Sequence, residues 1–309
     1  MTDVVISEFM DESAIRKHLG EFTVNYDPTL VDQPQRLQEL LRDCRALVVR
    51  NRTQVRAALL DAAPRLRVVG RLGVGLDNID VAVCAARNIR VCPATGANDL
   101  AVAEYVLTAA LLLLRRAWFA TAAVAAGTWP RMDLIGRELS GKCLGLVGFG
   151  AIARLTARKA LALGMTVAAY DPFVPPQDTA WQNVARLELP ALLSESDVLS
   201  LHTPLSPETR HLIDAVALAR MKRGAVLINA ARGGVVDEKA LIDALRSGKL
   251  GGAAIDVFEN EPLSPDNGRP WRDLENVVLT PHIAGVTDES NVRVSDVTAR
   301  SVRDALCST

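Results

Sequence analysis

The sequence predicts an α/β protein with two doubly wound parallel-sheet domains. Short runs of Val, Ile, Leu and Ala recur along the 309 residues, and segments with helical spacing separate them. That alternation calls for parallel strands whose crossover helices cover both faces of a sheet. One run, Cys143 to Val147, breaks at Gly148-Phe-Gly-Ala-Ile-Ala153, a glycine turn that passes from a buried strand into a helix. Three reactive side chains, Arg232, Glu261 and His282, each stand just past an apolar strand, where such sheets place their ligands.

The first domain carries strands at residues 4–6, 22–26, 46–50, 66–70 and 89–92. Helices at 13–19, 33–42 and 53–62 and a short one near 80–87 connect them. Two strand ends stand out, Arg50-Asn51-Arg52 and Gly73-Val74-Gly75. Arginines there add positive charge and glycines offer amides to an anion, although a turn and two solvated side chains would read the same way. The loop Pro93 to Asp99 follows, and Asn98 or Asp99 can cap a long helix over 100–126. That helix is more apolar than one pair of domains needs to bury, which predicts a homodimer.

The second domain continues from the glycine strand through a helix over 152–163 to strands at 166–170, 197–202, 225–230, 253–258 and 277–280. Together they predict a six-stranded sheet. The amphipathic segment 288–306 returns to the first domain. The expected division is therefore 1–97 with 286–309, and 98–285.

At the glycine turn, the missing Cβ atoms let a pyrophosphate approach the main chain, while the helix amides and dipole meet its charge. Asp171 ends the next strand, 21 residues after Gly150, where a dinucleotide fold places the carboxylate for the adenosine ribose. A carboxylate there repels a 2′-phosphate, and no arginine follows at once in Asp171-Pro-Phe-Val-Pro-Pro176, so NAD is favoured over NADP. Taken alone the turn and the strand-end Asp171 could be structural; their spacing joins them.

Lys and Arg number 35 against 36 Asp and Glu, so no basic field invites nucleic acid. The five cysteines are scattered without metal or disulfide spacing, which fits a reducing cytoplasm and no bound metal. The amino terminus lacks the pattern of a signal peptide. The richest apolar run, 105–114, is too short for a bilayer, so no membrane partner is expected. A small anionic molecule is the default partner.

Arg232, in Asn229-Ala-Ala-Arg-Gly-Gly234, offers a forked donor for a carboxylate. Glu261 precedes Pro262, and His282 follows Pro281. A histidine moves protons near neutrality, and a neighbouring carboxylate stabilises its charged form. Singly each residue could be mundane. Together, at strand ends of a domain with a dinucleotide turn, they suit hydride transfer.

From about Arg50 to Gly285 the chain resembles the NAD-dependent D-isomer-specific 2-hydroxyacid dehydrogenase family, most of all its short phosphoglycerate-dehydrogenase-type members. The similarity rests on Gly73-Val-Gly-Leu-Asp-Asn-Ile-Asp80, Asn98-Asp-Leu-Ala-Val-Ala-Glu104, Gly148-Phe-Gly-Ala-Ile152, Leu201-His-Thr-Pro204 and the three motifs above. It implies a Rossmann NAD domain inserted in a flavodoxin-like substrate domain. By resemblance, Arg232 holds the substrate carboxylate, His282 exchanges the proton on the C2 oxygen, and Glu261 orients His282. Gly148, Gly150 and the Ala151 and Ile152 amides meet the pyrophosphate, Asp171 the ribose and Asp256 the carboxamide. Thr203, Ala230, Ala231, Arg232, His282, Ile283, Ala284 and Gly285 border the cofactor. Arg50, Asn51, Arg52, Val74, Gly75 and Asn98 are the substrate contacts. Closure of the interdomain cleft would exclude water during the reaction.

Ala151 stands where many relatives have arginine or histidine, and Ala153 replaces the third glycine, so main-chain contacts must carry the pyrophosphate. Glu261 is intact, unlike the glutamine of the family's formate dehydrogenases. With its last residue at Thr309, the chain is expected to lack the regulatory extension of longer phosphoglycerate dehydrogenases. Two guanidiniums at Arg50 and Arg52 suggest a dianionic substrate, 3-phosphoglycerate or 3-sulfolactate, ahead of hydroxypyruvate or glyoxylate. An NAD-sensing corepressor-like protein, which uses the same fold to bind proteins, is the competing class.

Overall fold

The computed structural model describes residues 2–116 and 120–308. It divides into two compact units, residues 1–98 with 286–309, and residues 99–285.

The first unit alternates β1 (Val4–Ile6), α1 (Glu12–Leu19), β2 (Val24–Tyr26), α2 (Pro34–Leu41), β3 (Ala46–Val49), α3 (Ala57–Asp61), β4 (Val68–Arg71), α4 (Val81–Ala86) and β5 (Arg90–Pro93). The five strands are parallel in the order β2-β1-β3-β4-β5, so the winding reverses between β1 and β3. Side chains alternate along each strand. Val4, Ile6 and Val48 pack with Leu19 and the terminal helix Asp288–Cys307 on one face, and Val5, Leu47 and Val49 with Leu41, Leu60 and Cys84 on the other. A Cβ at Gly70 of β4 would lie 2.6 Å from Val302 and 3.0 Å from Thr298. The terminal helix therefore rests directly on the strand, which makes the unit discontinuous in sequence. Two elements are shorter than expected: the strand over 22–26 begins at Val24, and the helix over 53–62 is confined to Ala57–Asp61.

The second unit comprises α5 (Asp99–Arg115), α6 (Thr121–Ala125), β6 (Cys143–Val147), α7 (Ala151–Ala162), β7 (Thr166–Tyr170), β8 (Ala185–Arg186), α8 (Leu189–Glu195), β9 (Val198–Leu201), α9 (Ala215–Arg220), β10 (Val226–Asn229), α10 (Glu238–Arg246), β11 (Gly252–Ile255), α11 (Pro265–Gly268) and β12 (Val277–Leu279). Its sheet is parallel, in the order β12-β11-β10-β9-β6-β7-β8. Seven strands replace the expected six. The extra one, β8, is an exposed two-residue edge without the apolar run that marks a buried strand.

The long helix expected over 100–126 ends at Arg115. Arg116 takes a left-handed conformation at φ 56°, and the returning chain donates the Arg137 N–H to the Leu114 carbonyl at 2.8 Å. That bond satisfies one of the carbonyls that a helix end leaves open. The rest of the expected helix falls partly on residues 117–119, outside the described residues, and partly on the separate α6. Val106, Leu107, Ala110, Leu113 and Leu114 of α5 are buried against α7 and the sheet. Among the described residues, no helix is long and apolar enough to cross a membrane.

Candidate active site

The glycine turn sits where the second unit's winding reverses, between β6 and β9. Gly148 has φ 88°, and a Cβ there would lie 2.6 Å from the His202 carbonyl oxygen at the end of β9. Gly148 is thus fixed by backbone geometry and by close approach. Gly150 differs: it has an ordinary φ of −77°, and a Cβ on it would meet nothing within 4 Å. It caps the twelve-residue α7 without a side-chain hydrogen bond. The open space over this turn and its uncapped amides suit a pyrophosphate.

Asp171, just past β7, accepts the Phe149 N–H at 2.7 Å on one oxygen and the Phe173 N–H at 2.8 Å on the other. It therefore ties the glycine turn to the second strand end, and each oxygen keeps a lone pair for a ribose hydroxyl. Sequence reading missed the support beneath. Arg154 donates Nε–H to the Phe149 carbonyl at 2.9 Å and lies over the Phe149 ring, which stacks on Trp181 at 4.8 Å. His202 is partly buried, its Nε2 lies 3.0 Å from the Ser200 hydroxyl, and desolvation pushes it down to about 4, so it is neutral near pH 7. Thr203, the next residue, is partly exposed.

At the other strand ends, the reactive side chains are held by their neighbours. Asn229, 1% exposed at the end of β10, donates Nδ2–H to the Arg232 carbonyl at 2.9 Å and accepts the Ala231 N–H at 3.1 Å. It shapes the Ala230-Ala231-Arg232 turn, and the Arg232 guanidinium donates to the Ala231 carbonyl at 2.6 Å. Gly233 follows, and a Cβ there would lie only 2.0 Å from the carbonyl carbon and oxygen of Phe258. The arginine turn therefore presses against the loop that carries Glu261.

That loop orients the acid–base pair. His282 Nδ1 lies 2.7 Å from Glu261 Oε2, and Glu261 Oε1 accepts the Phe258 N–H at 2.9 Å. The pairing places the imidazole proton on Nδ1 toward the carboxylate and leaves Nε2 for a substrate oxygen. Burial alone would raise Glu261, but its bonds from His282 and Phe258, with the nearby charges of His282 and Arg232, lower it on balance. The loop is braced on its far side, where the Glu259 carboxylate meets His211 Nε2 at 3.0 Å and the Glu259 N–H donates to Glu238. The Glu261-Pro262 peptide is cis, and His282 has φ 57°.

Asp256, which the family resemblance implies as the carboxamide contact, is 1% exposed and engaged with the histidine loop. Its carboxylate accepts from Thr280 Oγ1 at 2.6 Å and from the amides of Ile283 and Ala284, each at 2.8 Å. Its carbonyl also accepts the His282 N–H at 2.8 Å. Because Thr280 spends its proton on Asp256, Tyr105 must donate to Thr280 across their 2.6 Å contact. Burial pushes the Tyr105 hydroxyl up and keeps that proton in place. Gly285 completes this loop.

The remaining expected residues belong to the first unit. Arg50 is partly buried, donates to Asn291 Oδ1 at 2.7 Å and lies over Phe9. Arg52 is exposed and forked onto Asp32, a pairing that sequence alone did not reveal. Asn51 is exposed, Val74 is 37% exposed, Gly75 is partly buried, and Asn98 has a buried side-chain oxygen without a hydrogen-bond partner.

A doubly wound dinucleotide unit with an Arg–Glu–His set at its strand ends defines an NAD-dependent oxidoreductase. Residues 107–284 match the family described as D-isomer specific 2-hydroxyacid dehydrogenase, NAD binding domain, and the chain belongs to that family. It is 56% identical over 307 residues to the (S)-sulfolactate dehydrogenase of Chromohalobacter salexigens, covering 99% of each chain. It is 41% identical over 268 residues to the D-3-phosphoglycerate dehydrogenase of Archaeoglobus fulgidus, covering 86% of this chain and half of that one. The solved D-lactate dehydrogenase of Aquifex aeolicus, complexed with NAD and lactic acid, superposes with a TM-score of 0.86 at 29% identity, over 99% of this chain and 96% of that one. The protein is thus an enzyme that uses NAD to oxidise or reduce a 2-hydroxy or 2-oxo acid.

Proposed function

We propose that the enzyme interconverts 3-sulfolactate, in its S form, and the corresponding 2-oxo acid. The observation that carries this reading is the 56% identity with a sulfolactate dehydrogenase along 99% of both chains. Arg232 takes the substrate carboxylate, since its planar fork matches two carboxylate oxygens. His282 removes the C2 hydroxyl proton through Nε2, and Glu261 holds the ring and offsets the charge it gains. The hydride leaving C2 would pass to the nicotinamide, the acceptor that NAD would supply when bound. The uncapped amides of Ala151 and Ile152 hold its pyrophosphate, and Asp171 its adenosine ribose. Asp256 keeps a lone pair for the carboxamide while it fixes the histidine loop. Thr203, Ala230, Ala231, Ile283, Ala284 and Gly285 line the cofactor. Arg50 and Arg52, with Asn51, Val74, Gly75 and Asn98, serve the substrate, the arginines exchanging their bonds to Asn291 and Asp32 for its sulfonate.

Initial rates of NAD reduction with both enantiomers of 3-sulfolactate, D-3-phosphoglycerate, D-glycerate and D-lactate, with NADP as a control, test this. The expected result is the highest kcat/KM on (S)-3-sulfolactate with NAD, abolished in His282→Asn. A higher value on phosphoglycerate or on a monoanion would refute the substrate assignment.

The enzyme is also proposed to work as a cytoplasmic homodimer. The free cysteines, with the buried Cys44, Cys84 and Cys92 thiols pushed up by burial, suit a reducing compartment. Most apolar side chains of α5 are buried within its own unit, Leu100 and Leu111 remain 39% and 41% exposed, and Val124, Trp129, Met132 and Ile135, at 43%, 79%, 74% and 64%, offer a further apolar surface. Light scattering that returned only the 33.2 kDa monomer would refute the dimer.

A further inference from the structure

The reversal point of the first unit's sheet, between β1 and β3, is where a doubly wound fold receives its ligand. Here a protein carboxylate occupies that position. Glu8 follows β1 by two residues and is 4% exposed. Its Oε1 accepts the N–H of Arg50 at 2.8 Å and of Thr53 at 3.0 Å, while Oε2 accepts Asn51 at 3.2 Å and Arg52 at 3.1 Å. Four consecutive amides thus converge on one side chain, a concavity of the kind that binds free anions. Burial would raise Glu8, but the amides of Thr53, Arg50 and Arg52 lower it on balance, so it stays ionised. The cradle is closed beneath by Ser7 Oγ against Thr53 Oγ1 at 3.0 Å and by Asn78 Nδ2–H on the Thr53 carbonyl at 2.7 Å.

Two consequences follow for the arginines on this loop. The main-chain amides of residues 50–53 are spent on Glu8, so only side chains are left to read an external anion. The loop's path, and with it the starting points of Arg50 and Arg52, is set by a side chain from another strand. We propose that Glu8 is a positioning residue for substrate specificity, holding the 50–53 loop so that its guanidiniums meet the second anionic group of the substrate. This inference rests on the sulfonate assignment above.

The test compares wild type, Glu8→Gln and Glu8→Asp on (S)-3-sulfolactate and on lactate, which lacks the sulfonate. Hydrogen exchange at the amides of residues 50–53 is followed alongside. A displacement of about 1 Å by a residue away from the chemistry costs up to about 100-fold. In Glu8→Gln the ratio of kcat/KM on sulfolactate to that on lactate should fall about tenfold or more, mainly through KM, and the four amides should lose protection. Should Glu8→Gln fail to fold, Glu8→Asp keeps the charge but withdraws it by one methylene, and the same selective loss, smaller in size, is expected. An unchanged ratio in a folded variant overturns the proposal, as does equal loss on both substrates. A wild type that does not prefer sulfolactate to lactate would instead overturn the substrate assignment, whatever the amides show.

Discussion

Gly233→Ala is the sharpest test of how the catalytic groups are held. The added Cβ would lie 2.0 Å from the carbonyl carbon and oxygen of Phe258 and 2.5 Å from the Glu259 nitrogen, where ordinary contact begins near 3.4 Å. The two segments must therefore separate by about 1.4 Å. All three atoms are backbone, so no rotamer change relieves the clash. One side of the contact carries Arg232. The other carries Phe258, whose N–H holds Glu261, which in turn lies 2.7 Å from His282. Overpacking of this kind costs about 1–3 kcal/mol of stability. A misplacement of about 1 Å at reacting groups lowers the rate by about 100-fold. The variant should thus melt several degrees below wild type, still bind NAD in a fluorescence titration, and lose about 100-fold in kcat/KM on its best substrate. A folded variant that kept kcat/KM within about threefold of wild type would show that the contact between the arginine turn and the glutamate loop does not set the geometry.

Gly150→Ala asks the converse question, because the new Cβ meets no protein atom within 4 Å and φ is ordinary. Its melting temperature should match wild type while NAD affinity falls by about tenfold or more; unchanged affinity would move the pyrophosphate away from this turn. Asp296 lies on the terminal helix, with Lys17 at 2.8 Å and His18 at 2.7 Å, and these bonds lower its carboxyl from 3.8 to about 2. Because the folded value is the lower one, this stabilisation is full above pH 3.8 and fades as pH falls toward 2. Asp296→Asn should cost about 1 kcal/mol at pH 7, measured by thermal melts, with the gap to wild type closing in acid; a gap that widens below pH 4 would contradict the assignment.

The sequence by itself determined what depends on neighbours along the chain. The apolar runs around Val147, Leu201 and Ile228 mark buried strands, and Gly148 with Gly150 marks the turn into α7. Arg232, Glu261 and His282 were legible because a reactive residue just past an apolar strand lands at the sheet's carboxyl edge whatever the detailed packing. The helix expected to continue to Ala126 shows the limit: propensity along 100–126 is helical, but the Leu114 carbonyl is taken by Arg137, 23 residues away. The two-residue β8 was likewise invisible, since only pairing with β7 makes it a strand.

Only the tertiary structure decided the supports. The Tyr105–Thr280 contact spans 175 positions, Glu8 reaches its amides across 42 to 45, and Arg52 finds Asp32 across 20. No periodicity records such pairs, because the sheet order that brings them together depends on which strands share a core. Asp256 shows both levels: its place after β11 was readable, while the loop amides and hydroxyl that bond its carboxylate come from beyond β12. Strand periodicity brings a side chain to the rim of the sheet. Buried carboxylates and amides drawn from distant segments, each costly to leave unpaired, then fix where on that rim it stands.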